Sequence, residues 1–456
     1  SAAGQQTSSF GNPATSGRTI TVNSGGALVF GNNDILGYTS VTPNVSIIVN
    51  AGAEITNQRA ITTNSGTGVF NALGNVTLNG GNLSSAGGFD SSNYRAFYLR
   101  GGITATNNAT SYITQTGNDT SSGVQIGSSS INVTSGSRLI VSTAFNNQPG
   151  TTTVSSGANF RFNLNSTVTF NGAIAGAGSV VQIGTGTTVL TNNNTYSGGT
   201  VISKGTLQTS TKSSLGTGNV TINDADTGSA DTALMTSYYS ASDTLANSIA
   251  NNISVVYKAS GTSTIGTTSI GTAGGTTPTY FNGTVVVNSA LTILAQNNDR
   301  MTFSGLVSGD ANGTISVTGG KKFSFQSANA TSANTFAGNI SVSGSGTTLE
   351  ISRYVAGAAA SGTTDLIPDS VAINLGAGTV FQTSSSTAET IGGLTGSGTV
   401  KSASGSVNLT IANSANNTFS GVIQDGSGTI ALLKSGAGNL ILSGTNTYTG
   451  STTISA

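Results

Sequence analysis

Asp224, Asp226 and Asp231 are the tightest group of chemistry-bearing side chains in the 456-residue sequence, within the stretch DADTGSADTALMTSYY that runs from Asp224 to Tyr239. Clustered carboxylates can cleave a glycosidic bond when one is kept protonated and a second stands across a cleft as nucleophile or base. No partner set accompanies this cluster. They can also bind Ca²⁺, but Gly228 stands where an EF-hand loop needs Asp or Asn, and no Glu closes the loop. The third role, carboxylates of a turn or loop, is the one the sequence predicts. Neither His nor Cys occurs anywhere, which removes Ser-His-Asp and Cys-His catalysis, imidazole metal sites and disulfides. The sequence therefore predicts no catalytic, cofactor-binding or metal site.

Other motifs that could carry chemistry have structural readings beside them. The glycine pairs (Gly176 and Gly178, Gly184 and Gly186, Gly426 and Gly428, Gly436 and Gly438) lack the Gly-Lys-Ser/Thr ending of a phosphate loop, and Gly320-Lys321 is followed by Lys322. They are expected to supply positive φ at corners. Asn-Thr-Tyr at 194–196 and 446–448 could present a sugar-binding ring, but its repeat spacing predicts a structural ladder. Sequons such as those at Asn75, Asn132 and Asn219 follow from the abundance of Asn, Ser and Thr. The span Asn82 to Gln115 is unusually aromatic, with Tyr94, Phe97, Tyr98 and Tyr112 beside Arg95 and Arg100. Tyr and Arg are favoured at interfaces, so a chain or ligand contact competes there with packing under a loop.

Charged residues make up 7% of the chain, 15 basic against 15 acidic, for a net charge of zero. No nucleic-acid footprint or patch for an anionic membrane is available on that balance. No apolar run reaches membrane-spanning length, the best being VVVNSALTILA from Val285, interrupted by Asn288, Ser289 and Thr292. The 64 glycines and 5 prolines could suggest disorder, but regularly spaced Val, Ile, Leu and Phe argue for a folded repeat array.

The elements that position these residues recur. A phrase of two apolar residues two apart, a Gly turn and then Leu, Ile or Phe opens as ITVNSGGALVF from Ile20. It returns as IIVNAGAEI from Ile47, VTLNGGNL from Val76, INVTSGSRLIV from Ile131, ISVTGGKKFSF from Ile315 and AINLGAGTVF from Ala372. The series Val22, Val49, Leu78, Ile103, Val133 and the series Val287, Val317, Val342, Ile373 drift around one rung per ~28 residues, inside the solenoid window. Such a rung predicts roughly 16 rungs and a length of roughly 75 to 80 Å at one strand spacing per rung. Alternation along a strand places Val22, Leu28 and Phe30 inside and Thr21 and Asn23 outside. Val22, Val133, Ile202, Val317, Val342, Ile373 and Leu440 are expected to be buried. The predicted organisation is an arm or cap over 1–17 and a continuous β-helix over 18–456. Irregular excursions are expected near 82–115, 224–240 and 353–368, and the Ala-rich stretch RYVAGAAASG from Arg353 could form a helical turn.

The fullest repeat is AIAGAGSVVQIGTGTTVLTNNNTYSGGTVISKGTL, from Ala173 to Leu207, and a second copy runs from Ile423 to Ala456. Asn334-Thr335-Phe336-Ala337-Gly338 and Asn417-Thr418-Phe419-Ser420-Gly421 are degenerate copies, and SLGTGNVTI from Ser214, IANNISV from Ile249 and ETIGGLTGSGTV from Glu389 join them. The pattern resembles the passenger-associated transport repeat of autotransporter passengers, over 173–456. That resemblance implies an all-β, single-stranded right-handed parallel β-helix of a secreted protein, at the bacterial cell surface or in the extracellular matrix. A chain without Cys also fits passage across a membrane in unfolded form, and SAAGQQ looks like sequence following a removed small-residue cleavage site, although an artificial boundary would look the same.

Three function classes stay open on the sequence: a non-catalytic structural solenoid (fibre, sheath or stalk), an adhesin for a surface glycan or host protein, and a carbohydrate-active enzyme. The first is the leading expectation. The last rung, LILSGTNTYTGSTTISA, carries no charge or proline and lacks the Gly-Thr-Leu that follows the motif at 205–207. A head-to-tail homopolymer, with the 1–10 arm or the rung at 20–30 of a second copy supplying the missing strand, is expected on that ground. A passenger whose following rungs or membrane barrel were removed would look alike.

Overall fold

A computed structural model describes residues 17–30, 45–57, 69–85, 95–99, 101–115, 125–126, 129–143, 150–239, 247–268, 278–296, 300–326, 333–352, 354–355, 358–359, 366–383 and 388–455. Among these residues the protein is all-β, without α-helix. It divides into two compact units, one ending near residue 218 and the other holding 219–456 with short pieces of 202–212. Each unit is a parallel β-solenoid in which a strand pairs with its counterpart one turn along the chain.

In the first unit, the strands Arg18–Val22, Val45–Asn50, Val76–Asn79, Ile103–Ala105, Ile131–Val133, Thr151–Val154 and Ala173–Ala175 form one sheet. Ala27–Phe30, Glu54–Asn57, Asn82–Ser85, Thr110–Gln115, Arg138–Val141, Asn159–Phe162 and Ser179–Gln182 run in order through a second. The columns facing the bore are apolar for a simple reason: alternate residues point inward and every inward residue lies over its equivalent in the next turn. Val49, Leu78, Ala105, Val133 and Val154 form one such column, all fully buried. Ile47, Val76, Ile103 and Ile131 form the column beside it. The expected series is therefore corrected at one place, because Ile103 belongs with Val76 and Ala105 holds the position between Leu78 and Val133. Alanine is too small an apolar signal to mark a core position in sequence. Outside, an amide ladder joins the turns: Asn50 Nδ2 donates to Asn23 Oδ1 (2.9 Å) and Asn79 Nδ2 to Asn50 Oδ1 (3.1 Å).

The second unit repeats the logic with an aromatic interior. The strands Thr279–Phe281, Arg300–Phe303, Lys322–Gln326, Thr348–Ser352, Val380–Thr383, Thr399–Ser402 and Val422–Gln424 form one sheet. Inside it, Phe281, Phe303, Phe323, Phe325 and Phe336 make a continuous run of rings with centroids 4.9 to 5.7 Å apart, three of the four contacts edge-on. Edge-on rings at this distance favour each other beyond simple burial. Full enclosure of one such side chain stabilises by about 1.5 to 3 kcal/mol, as an upper bound. A neighbouring sheet stacks Ile265, Ile293, Val317, Val342 and Leu375. Here the expected series is corrected at both ends: Val287 pairs with Val255 in a different sheet and Ile293 is the partner of Val317, while Ile373 pairs with Ile340 and Leu375 is the partner of Val342. Six residues separate Val287 from Ile293, so a period that drifts by that much cannot tell them apart.

Spacing between stacked residues ranges from 19 (Val380 to Thr399) to 33 (Val220 to Ile253). Among the described residues, paired strands also occur within the spans expected to be irregular. Within 82–115, parallel strands cover Asn82–Ser85, Arg95–Leu99, Ile103–Ala105 and Thr110–Gln115. In the acidic stretch, residues 224–230 turn and Thr232–Thr236 returns to pair with Ser263–Thr267. In the Ala-rich stretch, Tyr354–Val355 pairs antiparallel with Ala358–Ala359, so these residues are extended rather than helical; 353, 356–357 and 360–365 lie outside the described residues.

Val22, Val133, Ile202, Val317, Val342 and Ile373 are buried as expected, whereas Leu440 is half-exposed. Leu440 pairs with Asn417 on one side only, so half its enclosure is missing. Leu28, with Ile55 beside it in the sheet, is likewise half-exposed.

The glycine pairs of the repeat have a different cause from the expected one. Gly176 and Gly436 do adopt positive φ (104° and 79°). The other six do not. A Cβ on Gly178 would strike the Val154 side chain, on Gly184 the backbone of Leu164, and on Gly428 the Gly405 carbonyl. Glycine is needed where the turn above presses backbone on backbone.

Candidate functional site

The residues that mark the repeat act between rungs. Asn194 is buried in an unstranded corner; its Oδ1 accepts the N–H of Ile174 (2.8 Å) from the preceding turn, and its Nδ2 donates to the Ser214 carbonyl (2.6 Å) of the following one. Asn334 does the same between the Val307 N–H (2.9 Å) and the Leu366 carbonyl (2.7 Å). Ser214 opens the linking phrase SLG, and Leu366 opens Leu366-Ile367-Pro368 at the corresponding place after Asn334, so each motif is followed by the segment whose first carbonyl its asparagine binds. An amide side chain is the shortest group that accepts on one side and donates on the other. Two residues on, Tyr196 is wholly enclosed, and its hydroxyl pairs with Thr200 Oγ1 (2.6 Å). Burial pushes that phenol well above its usual range, so it stays neutral. Tyr196 therefore faces the core, and Phe336 and Phe419 are buried at the equivalent place.

Corner carbonyls are gathered by whatever polar side chain starts the turn. Gln182 Nε2 donates to the carbonyl of Gly184 (2.8 Å) while its Oε1 accepts from Thr188 (2.7 Å). In the second copy Lys434 takes that place, its ammonium donating to the carbonyls of Ser435 (2.6 Å) and Gly436 (2.8 Å). Glu389 is the least expected of these groups. It occupies the inward column of Leu409 and Leu432, almost fully buried, and its carboxyl accepts the N–H of Ile367 (2.8 Å).

The acidic cluster separates into independent turn contacts. Asp224 accepts from Ser203 Oγ (2.7 Å), from Thr227 Oγ1 (3.1 Å) and from the Asp226 N–H (3.1 Å). Asp231 accepts the N–H and hydroxyl of Thr262 (2.7 and 2.8 Å), and these bonds, with the Lys258 charge, hold it below the usual carboxylate range. Lys258 is held low by partial burial, against the pull of Asp231, while its ammonium donates to the carbonyls of Ala230 (2.9 Å) and Thr262 (2.7 Å). Behind them Asn223, at φ 70°, donates to the Val256 carbonyl (2.8 Å) and accepts from Thr232 Oγ1 (2.7 Å). The arrangement clasps the 224–231 excursion to its rung. Among the described residues, no three His, Cys, Asp or Glu gather as a metal set.

In the aromatic zone, Tyr94 and Arg100 lie outside the described residues. Arg95, Phe97 and Tyr98 belong to the strand Arg95–Leu99. Tyr112 stands on the outer face of the second sheet, 39% exposed. Register sets it beside Asn82 on one side and Ile140 on the other, with Arg161 beside Ile140. Sequence reading missed Ile140, Arg138 and Arg161, although 28 residues separate Tyr112 from Ile140.

No helix among the described residues is long and apolar enough to cross a membrane. The family description Passenger-associated-transport-repeat matches residues 180–209 and 432–456. The Adhesin BmaC autotransporter of Brucella suis biovar 1 (strain 1330) is 42% identical over 81 residues, which are 17% of this chain and 2% of that protein. The chain thus spans only a small part of that relative's length. No solved structure matches. The matched segments are those whose Asn, Tyr and Gly lock one turn to the next, and with the stacked parallel rungs they make this chain an autotransporter passenger-like β-helix protein.

Proposed function

We propose that the chain is a non-catalytic passenger segment displayed outside the bacterial cell, where its stacked rungs form an adhesive stalk. The observation that carries this reading is the use made of the repeat: Asn194, Asn334, Tyr196 and Gln182 all spend their polar groups on neighbouring backbone or side chains, building length and rigidity. The carboxylates of Asp224 and Asp231 are likewise engaged in turn contacts. The partial likeness to an adhesin supports an adhesive role. The purified 456-residue chain is expected to coat host cells saturably and to leave polysaccharides uncleaved. Release of reducing ends, or binding no greater than that of an unrelated soluble protein, would reject the reading.

The finer proposal is end-to-end association of copies. On the rung 440–454 the inward-facing Leu440 and Leu442 are half-exposed, and Ile454, paired with Lys434, is 78% exposed. A rung of a second copy laid over them would enclose these side chains and pair the open strand edge. Light scattering should then show mass rising with concentration. A constant monomer mass at high concentration would rule it out.

A further inference from the structure

We infer that the outer face of the second sheet of the first unit, at Tyr112, Arg138, Ile140 and Arg161, binds a polysaccharide containing uronic acids. Outward residues of three successive strands meet there. Tyr112 pairs with Ile140 and Ile140 with Arg161, so these three form one column across the rungs. Arg138, two residues before Ile140 on the same strand, lies diagonal to both Tyr112 and Arg161, because its partners are Thr110 and Asn159. Diagonal neighbours on a sheet are within reach of long side chains. Tyr112 and Arg138 are exposed, and Ile140 and Arg161 half-exposed.

Two features of this patch point to a ligand. The first is unmet hydrogen bonding: Arg161 Nε is enclosed with no partner among the described residues. Its partners across the sheet, Ile140 and Val181, offer no polar side chain, and Asn159, two residues before it on the strand, is engaged with Ser179 (2.8 Å). The second is chemical type. A chain that is 7% charged sets two guanidinium groups on adjacent strands, and a guanidinium matches a carboxylate through paired N–H donors. Between and beside them the ring of Tyr112 and the side chain of Ile140 offer an apolar platform of the kind on which the C–H face of a pyranose rests. Rungs repeat at about 4.8 Å, close to the length of one sugar in an extended chain, so a strand laid along the column meets successive rungs with successive residues. A polyanion without sugar rings would leave Tyr112 and Ile140 unused. Nucleic acid is disfavoured because its binding rests on many more phosphate contacts than two arginines can make.

This assignment rests on the reading of the chain as an exposed adhesive passenger and names its partner. The probe is polygalacturonate, titrated into the full chain by calorimetry beside uncharged dextran and poly-glutamate. Polygalacturonate should bind and weaken as salt rises, with dextran and poly-glutamate far weaker. Arg138→Gln with Arg161→Gln should lower affinity about tenfold or more, as loss of charge-assisted hydrogen bonds does. Tyr112→Ala should lower it severalfold, and Arg161→Lys should recover only part of the loss. The melting temperature of each variant shows that it is folded. Equal binding of dextran or poly-glutamate, or undiminished binding by the folded double variant, overturns the assignment. Cell coating that persists while polygalacturonate fails to bind rejects this site alone, whereas absence of cell coating rejects the adhesive reading.

Discussion

Asn194 to Tyr196 and Asn446 to Tyr448 are the same phrase, each with Gly two residues on, in two different surroundings. The first asparagine bridges two turns, donating to Ser214 and accepting from Ile174. The second accepts from Ile423 (2.8 Å) but turns its donor back on the carbonyl of Gly444 (3.1 Å), two residues earlier in the same turn. Tyr196 is fully buried, while Tyr448 makes the same pair with Thr452 (2.8 Å) half in water. Local geometry is thus a property of the phrase, and its energy is a property of the neighbours on both sides, as expected of a one-dimensional array.

The sharpest way to break that comparison is to remove the ring. Tyr196→Ala should cost about 3 to 5 kcal/mol, the usual loss for a large enclosed aromatic, and Tyr448→Ala about 1 kcal/mol. Denaturant unfolding followed by circular dichroism reads both, and equal losses would show that the neighbours do not matter. Next come the amides. Asn194→Ala strands the Ile174 N–H and the Ser214 carbonyl, for about 2 to 3 kcal/mol, whereas Asn446→Ala strands one N–H and should cost about 1 kcal/mol.

A smaller effect comes from Asp425, which has no counterpart in the first copy. It accepts from Thr449 Oγ1 (2.6 Å), from the Ile430 N–H (2.9 Å) and from the Thr449 N–H (3.0 Å), and these bonds hold its carboxyl below the usual range. A carboxyl whose pKa is lowered by folding stabilises the fold at pH above its unfolded value, near 3.9, and that contribution disappears as pH falls through the lower folded value. Asp231 titrates in the same sense. Melting temperature should therefore drop below about pH 4, and Asp425→Asn should flatten the drop without affecting the region around Tyr196. An unchanged acid profile in Asp425→Asn would remove Asp425 from the account. The smallest effect is expected from a chelator: melting should be unchanged, since the carboxylates of Asp224 and Asp231 are engaged in turn contacts, and a fall of many degrees would make Asp224, Asp226 and Asp231 a structural Ca²⁺ site.

What was legible in the sequence follows the same division between local and neighbouring causes. Val22, Val49, Leu78 and Val133 are large, β-favouring and evenly spaced, so their column could be read directly. Ala105 could not, because its inward position is set by the strand above and below it. Gly178 and Gly428 look like turn glycines until the adjacent backbone is seen to leave no room for a Cβ. Glu389 opens a linking phrase in the sequence with nothing to mark it as inward, yet it sits in the bore and accepts the Ile367 N–H from a segment 22 residues earlier. The Tyr112 patch was half visible: the tyrosine stands out in sequence, but Arg138 and Arg161 join it only through strand register.

Native-state hydrogen exchange at the Ile174 and Ile423 amides tests the central claim most directly, since each donates to the asparagine of its own motif. The two-sided bridge predicts that Ile174 is the better protected of the two, and that Asn194→Ala lowers its protection by more than Asn446→Ala lowers that of Ile423. Equal protection in the unmodified chain, or an Ile174 amide that exchanges no faster in Asn194→Ala, would contradict it.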